Sequence, residues 1–339
     1  MKKALLAFPI FLGILALVYL LGPVPDYPEI DPIISELDIP LDKLEDSIAS
    51  LESRVANLKP DNEAKIVWAD TARKTEWAIV YLPGFSASEH EGYPVHRQVA
   101  EHFGMNLYLA RIDGHGIDDP EAFVNLSPSS LINSAKFAIA VGQLIGENVI
   151  VMSCSTGGTY SIYLAAHNPD LIDAQVLYSP NIEIFDPNVK LLGGPWGLQL
   201  GRAIIGDYQV IKQSIGTPKE QYWTTVYRME GLVALQHLLE DTMTEEVFQK
   251  VTQPTFMGYY YKNEDEQDKV VSVAAMKRFA QQVGTAEADF RQMPFPETGN
   301  HVISSDLQSS DYQSVRDESI RFLEEVIGLV GVKDTAQPY

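Results

Sequence analysis

Apolar residues recur along this chain in two rhythms. Leu41, Leu44, Ile48, Leu51 and Val55 fall at helical spacing with acids between them. They predict an amphipathic helix that packs on the main body or lies near a membrane. Short apolar, β-branched runs then alternate with helical patterns. Strands are expected over 64–69, 76–82, 106–112, 148–152 and 174–178, and helices over 95–103, 128–145 and directly after 155. From about 180 to 252 the strand rhythm stops. That stretch holds Gly193, Gly194, Gly197 and Gly201, then a helical pattern over 223–239. The rhythm resumes with strands over 255–261 and 288–293 and helices over 272–283 and 312–329. Alternating strand and helix predicts an α/β fold: a mostly parallel twisted sheet with helices on both faces, interrupted by an inserted helical cap.

The N-terminus follows another pattern. Lys2 and Lys3 precede an uncharged stretch from Ala4 to Gly22, and Pro- and Asp-rich sequence runs from Pro23 to Pro32. The stretch is near the minimum for spanning a bilayer, and no small-x-small cleavage site follows it. An uncleaved signal anchor is expected, with the lysines in the cytoplasm and the body outside it, attached to the membrane through this segment. The alternative is an exported protein whose signal peptide is cleaved. The expected division is 1–25 for the anchor or signal peptide and 26–63 for a spacer and the amphipathic helix. The α/β core takes 64–183 and 251–330, and the cap 184–250.

Composition narrows the functions. The 339 residues carry 46 acidic against 25 basic side chains, a formal net charge of -21, which disfavours nucleic acid as a partner. The one cysteine, Cys154, allows no internal disulfide. No His/Cys/Asp/Glu cluster has metal-ligand spacing and no Gly-x-Gly-x-x-Gly follows a strand, so neither a metal nor another cofactor is indicated.

Candidate chemistry centres on Ser155. The apolar run Val149-Ile150-Val151-Met152 breaks into Ser153-Cys154-Ser155-Thr156-Gly157-Gly158, and a helical pattern follows. A serine on a sharp strand-to-helix turn has its hydroxyl pushed out where a base can reach it, and the crowded turn requires small neighbours. Gly-rich turns of this kind also bind phosphates, so the rest of the chain must decide.

Several further segments appear in order. They are Leu82-Pro83-Gly84-Phe85-Ser86, Asp113-Gly114-His115-Gly116, Asp268-Lys269-Val270-Val271 and Gly299-Asn300-His301-Val302. Together with the Ser155 turn they make residues 64 to 330 resemble the α/β-hydrolase family. The nearest branch is that of monoacylglycerol lipases, bacterial carboxylesterases and serine aminopeptidase-like enzymes with a helical cap. Two departures stand out: Ser153 replaces the first Gly of the usual Gly-x-Ser-x-Gly, and Pro83 stands where His is common.

The resemblance implies a serine hydrolase acting on small-molecule or lipid esters. Ser155 would be the nucleophile, His301 the general base and Asp268 the acid that orients it, with Asp265 as runner-up in an acid-crowded loop. The N–H groups of Phe85 and Thr156 would form the oxyanion hole. His115 would be structural. Trp196 and Trp223 are candidates for lining an acyl pocket, or for simple cap core. A non-catalytic binding protein on this fold, and a serine peptidase or amidase, are the alternatives.

Overall fold

A computed structural model describes residues 12–14 and 16–332. Seven strands form one sheet in the order β1-β3-β2-β4-β5-β8-β9. They are β1 (Lys65–Val67), β2 (Thr75–Leu82), β3 (Asn106–Leu109), β4 (Gly146–Cys154), β5 (Ala174–Tyr178), β8 (Thr255–Tyr259) and β9 (Phe290–Pro294). Only β1 runs antiparallel to its neighbour.

The central strands read as unbroken apolar runs because both faces are covered. Alternate side chains enter separate cores. From β2 and β4, Ala78, Val80, Leu82, Val149 and Val151 enter one. Ile79, Tyr81, Ile150, Met152 and Cys154 enter the other. The first core is closed by the helices α3 (Pro128–Ile145), α4 (Thr156–His167) and α9 (Val273–Gln282). The second is closed by α2 (Val95–Phe103) and α10 (Tyr312–Phe322). The amphipathic helix near the N-terminus is α1 (Leu41–Glu52), and it packs on the body. Leu44 and Ile48 are buried, and Glu52 pairs with Arg111 at 2.5 Å.

The segment between β5 and β8 is more than a helical cap. It holds α5 (Gly197–Ile204), α6 (Lys219–Tyr222), α7 (Met229–Thr242) and α8 (Glu245–Lys250), with a two-stranded sheet of β6 (Tyr208–Val210) and β7 (Val226–Arg228). The helix expected over 223–239 starts only at Met229. After α6 ends at Tyr222, Trp223 is extended and bridges Ala87 in the loop after β2: Ser88 N–H donates to Tyr222 O and Thr224 N–H to Ser86 O. These non-local bonds override the helical spacing of Trp223 and Tyr227.

The expectation of a membrane anchor over 4–22 is corrected here. Residues 4–11 and 15 lie outside the described residues. Residues 12–14 and 16–20 are helical, and the helix ends at Leu20. Crossing a bilayer takes about 20 apolar helical residues, and among the described residues no helix is long and apolar enough. Placement of the body outside the cytoplasm therefore loses its basis. The segment's end is held by the insertion instead: Trp196 Nε1 donates to Val18 O at 3.0 Å and Trp196 N–H to Pro23 O at 2.9 Å. The stretch expected as a spacer also lies against the body. Lys136 pairs with Asp31 at 2.8 Å, and Asn168 bonds both Pro32 O and Ile34 N–H.

Candidate active site

Ser155 sits between β4 and α4 with φ 54° and ψ −121°. An L-residue rarely takes such an angle, so surrounding bonds must impose it. Ser155 N–H donates to Tyr178 O, and Ser155 O accepts from Gly158 and Asn181. The turn is packed too tightly for larger neighbours. A Cβ at Gly157 would lie 2.0 Å from Leu82 O, and one at Gly84 would lie 2.8 Å from Ser155 Cβ. Ser153, where glycine is usual, fits because its side chain lies in the extended strand, buried.

The late loops deliver the other two groups. Asp268 is 1% exposed, and its Oδ1 accepts the N–H groups of Val270 and Val271 at 2.8 and 3.1 Å. Its Oδ2 meets His301 Nδ1 at 2.6 Å. Asp265 is exposed on the same loop. His301 is held from below, where Ser179 Oγ donates to its carbonyl at 2.7 Å. Burial disfavours the imidazolium, but the Asp268 charge and hydrogen bond outweigh it and raise the His301 pKa above 6.5.

Ser155 and His301 line one cavity of about 320 Å³, together with Phe85 and Thr156. In this conformation the Ser155 hydroxyl makes no hydrogen bond to His301; such contacts often tighten only with substrate bound. Among the described residues the N–H groups of Phe85 and Thr156 also have no intramolecular acceptor. Ile184, Ile211, Leu232 and Leu235 from the insertion cover the cavity with apolar surface.

Trp223 lines this cavity and is buried, whereas Trp196 does not line it. Trp196 packs against Gly22 and Val18 at the outside of the insertion. His115 is fully buried and lies behind the Phe85 ring, with centroids 5.6 Å apart. Its Nδ1 bonds Asp113 O, and burial lowers its pKa to about 4, so it stays neutral and supports the loop. Cys154 is buried, and burial with the nearby Glu91 raises its thiol pKa well above the ordinary value, which makes it inert.

Two charged residues at the cavity were not anticipated from sequence: Glu91, on the turn after β2, and Lys219 of α6. Glu91 is 2% exposed and accepts Gly84 N–H at 2.6 Å, which braces the loop carrying Phe85. Burial pushes its carboxyl upward, against the Gly84 bond and the charges of His301 and Lys219. Nothing in the local pattern of Ser88-Glu89-His90-Glu91 distinguishes it from surface acid.

No family model and no curated protein matches the chain by sequence. Solved structures do. One, described among the metagenome-derived lipolytic enzymes LipS and LipT, aligns with TM-score 0.63 at 14% identity, covering 79% of this chain and 99% of that one. The monoacylglycerol lipase of Paleococcus ferrophilus aligns with TM-score 0.55 at 15% identity, over 77% of this chain and 98% of that one. The chain has the α/β-hydrolase fold. Est1E from Butyrivibrio proteoclasticus with bound ferulic acid shares this fold, with TM-score 0.55 and 18% identity over 78% of this chain and 95% of that one. The shared fold accounts for the parallel sheet; the segment between β5 and β8 supplies most of the cavity's apolar cover.

Proposed function

We propose that this α/β-hydrolase-fold protein is a serine hydrolase that cleaves carboxylic esters through an acyl-enzyme. The observation that carries the reading is the 2.6 Å contact of His301 with Asp268, at a cavity that Ser155 also lines. His301 Nε2 takes the Ser155 proton as Oγ attacks the ester carbonyl. The N–H groups of Phe85 and Thr156, free of other acceptors, stabilise the oxyanion, each worth about 3 kcal/mol of barrier. The imidazolium then protonates the leaving alkoxide. Water, deprotonated by His301, releases the acid and restores Ser155. Asp268 holds the Nδ1–H tautomer and stabilises the imidazolium throughout.

The lipases and esterase that share the fold lend this reading support from fold alone. The test is labelling of the purified protein with a fluorophosphonate, together with hydrolysis of 4-nitrophenyl esters of increasing chain length. Stoichiometric labelling at Ser155 and turnover of at least one ester are expected. Absence of both would leave a binding protein on a hydrolase scaffold.

Trp223 is expected to set acyl preference, because it lines the cavity where Trp196 does not. Trp223→Ala should shift the optimum of that ester series, and Trp196→Ala should leave the order of preference as in the wild type. Uniform loss across all chain lengths in Trp223→Ala would mean that this residue only supports the fold.

A further inference from the structure

Lys219 lines the cavity at the start of α6, between Trp223 and Gln308. Its Nζ donates to Gln308 Oε1 at 3.0 Å and stands 4.9 Å from the Trp223 ring centroid. The side chain is largely taken out of water, yet among the described residues it forms no ion pair. An ammonium carries three N–H donors, and Gln308 accepts from one. The other end of that amide, Gln308 Nε2, is buried with no hydrogen-bond partner among the described residues. A buried donor left without an acceptor is costly, and natural structures rarely keep one without a purpose. An underused cation and an unsatisfied amide nitrogen thus sit together among the residues that line the cavity of Ser155 and His301.

We propose that Lys219 and Gln308 bind a carboxylate on the substrate, so that the esters cleaved here carry a second, anionic end, as in a hemiester of a dicarboxylic acid. This deepens the ester-hydrolase reading and rests on it. One carboxylate oxygen would accept from Lys219 Nζ and the other from Gln308 Nε2. A phosphate dianion fits less well, because a lone ammonium neutralises half its charge and Glu91 lies close by. The chain carries a net charge of -21, so an anionic substrate needs such a local cation to enter.

The test compares 4-nitrophenyl hydrogen glutarate with 4-nitrophenyl valerate, which differ in a carboxylate against a methyl. The full-length wild type is expected to favour the hemiester by about tenfold in kcat/KM, chiefly through KM, as a charge-assisted hydrogen bond allows. Lys219→Met should bring the ratio near unity, and Lys219→Arg should restore it, which a merely structural lysine would not do. In parallel, calorimetry with glutarate and with inorganic phosphate reads binding without chemistry. Glutarate should bind, about tenfold more weakly to Lys219→Met, and phosphate should not. An unchanged ratio in Lys219→Met, or phosphate binding in place of glutarate, would overturn the subsite. Should the wild type cleave no ester and take no fluorophosphonate label, the hydrolase reading fails, and glutarate binding alone decides whether the carboxylate site stands.

Discussion

Ser155→Ala is expected to lose turnover of every ester, by a factor on the order of 10⁶, and all fluorophosphonate labelling, while its thermal unfolding stays close to that of the wild type. The two halves of this expectation have separate grounds. Activity goes because the adjacent thiol and hydroxyl cannot replace Oγ: Cys154 is buried with its pKa raised well above the ordinary value, and the Ser153 side chain is buried in β4. Stability stays because the turn is packed around backbone and Cβ. Gly84, Gly157 and the bonds to Tyr178 and Asn181 hold residue 155, and alanine keeps all of those contacts. Full labelling of the variant would move the nucleophile elsewhere.

Asp268→Asn is expected to lower turnover on the order of 10⁴ by stabilising the wrong imidazole tautomer. Its pH profile supplies a second readout. The reaction needs neutral His301, so kcat/KM should rise with pH through the His301 pKa, which lies above 6.5 in the wild type. Of the influences on that group, burial lowers the pKa, while the Asp268 charge and hydrogen bond raise it. Substitution by asparagine removes both of these and leaves burial in place, opposed only by the smaller influence of Glu91. The acid limb should therefore move to lower pH as the plateau drops. Asp265→Asn should show neither change. An equal loss from Asp265→Asn, or a limb displaced upward, would remove Asp268 from the role.

Much of the fold was legible because the central strands obey simple rules. The expected bounds of β5, α2 and α3 coincide with those observed, since apolar runs flanked by turns allow few other readings. Where the reading failed, distant partners decided. Trp223 and Tyr227 have helical spacing, but pairing with the loop after β2 and with β6 draws the segment out straight. The apolar N-terminal stretch reads as a bilayer span by length alone, while its end is bonded to Trp196 across the insertion.

The site divided in the same way. Ser155 and His301 are marked by turns, which are local. Asp268 and Asp265 share one acidic loop; nearness to Val270-Val271 favours Asp268 in the sequence, and burial and the contact with His301 distinguish it in the fold. Glu91 and Lys219 lie 128 positions apart, on the turn after β2 and in the insertion, and no pattern within either segment brings them to the same cavity. Trp196 and Trp223 looked alike as cap aromatics; only the tertiary path sends one to the cavity and the other to the N-terminal chain.

The positive φ at Ser155 has an implication for engineering this protein. A non-glycine residue there costs about 1–3 kcal/mol, and glycine would relieve it. Under the proposed mechanism, thermal stability and chemistry therefore make opposite demands on one backbone position. A library selected for heat resistance alone would be drawn to glycine at 155 and would return sturdy, inert proteins. Stabilisation has to be sought where the two demands do not meet, such as the outer faces of α1 and α10.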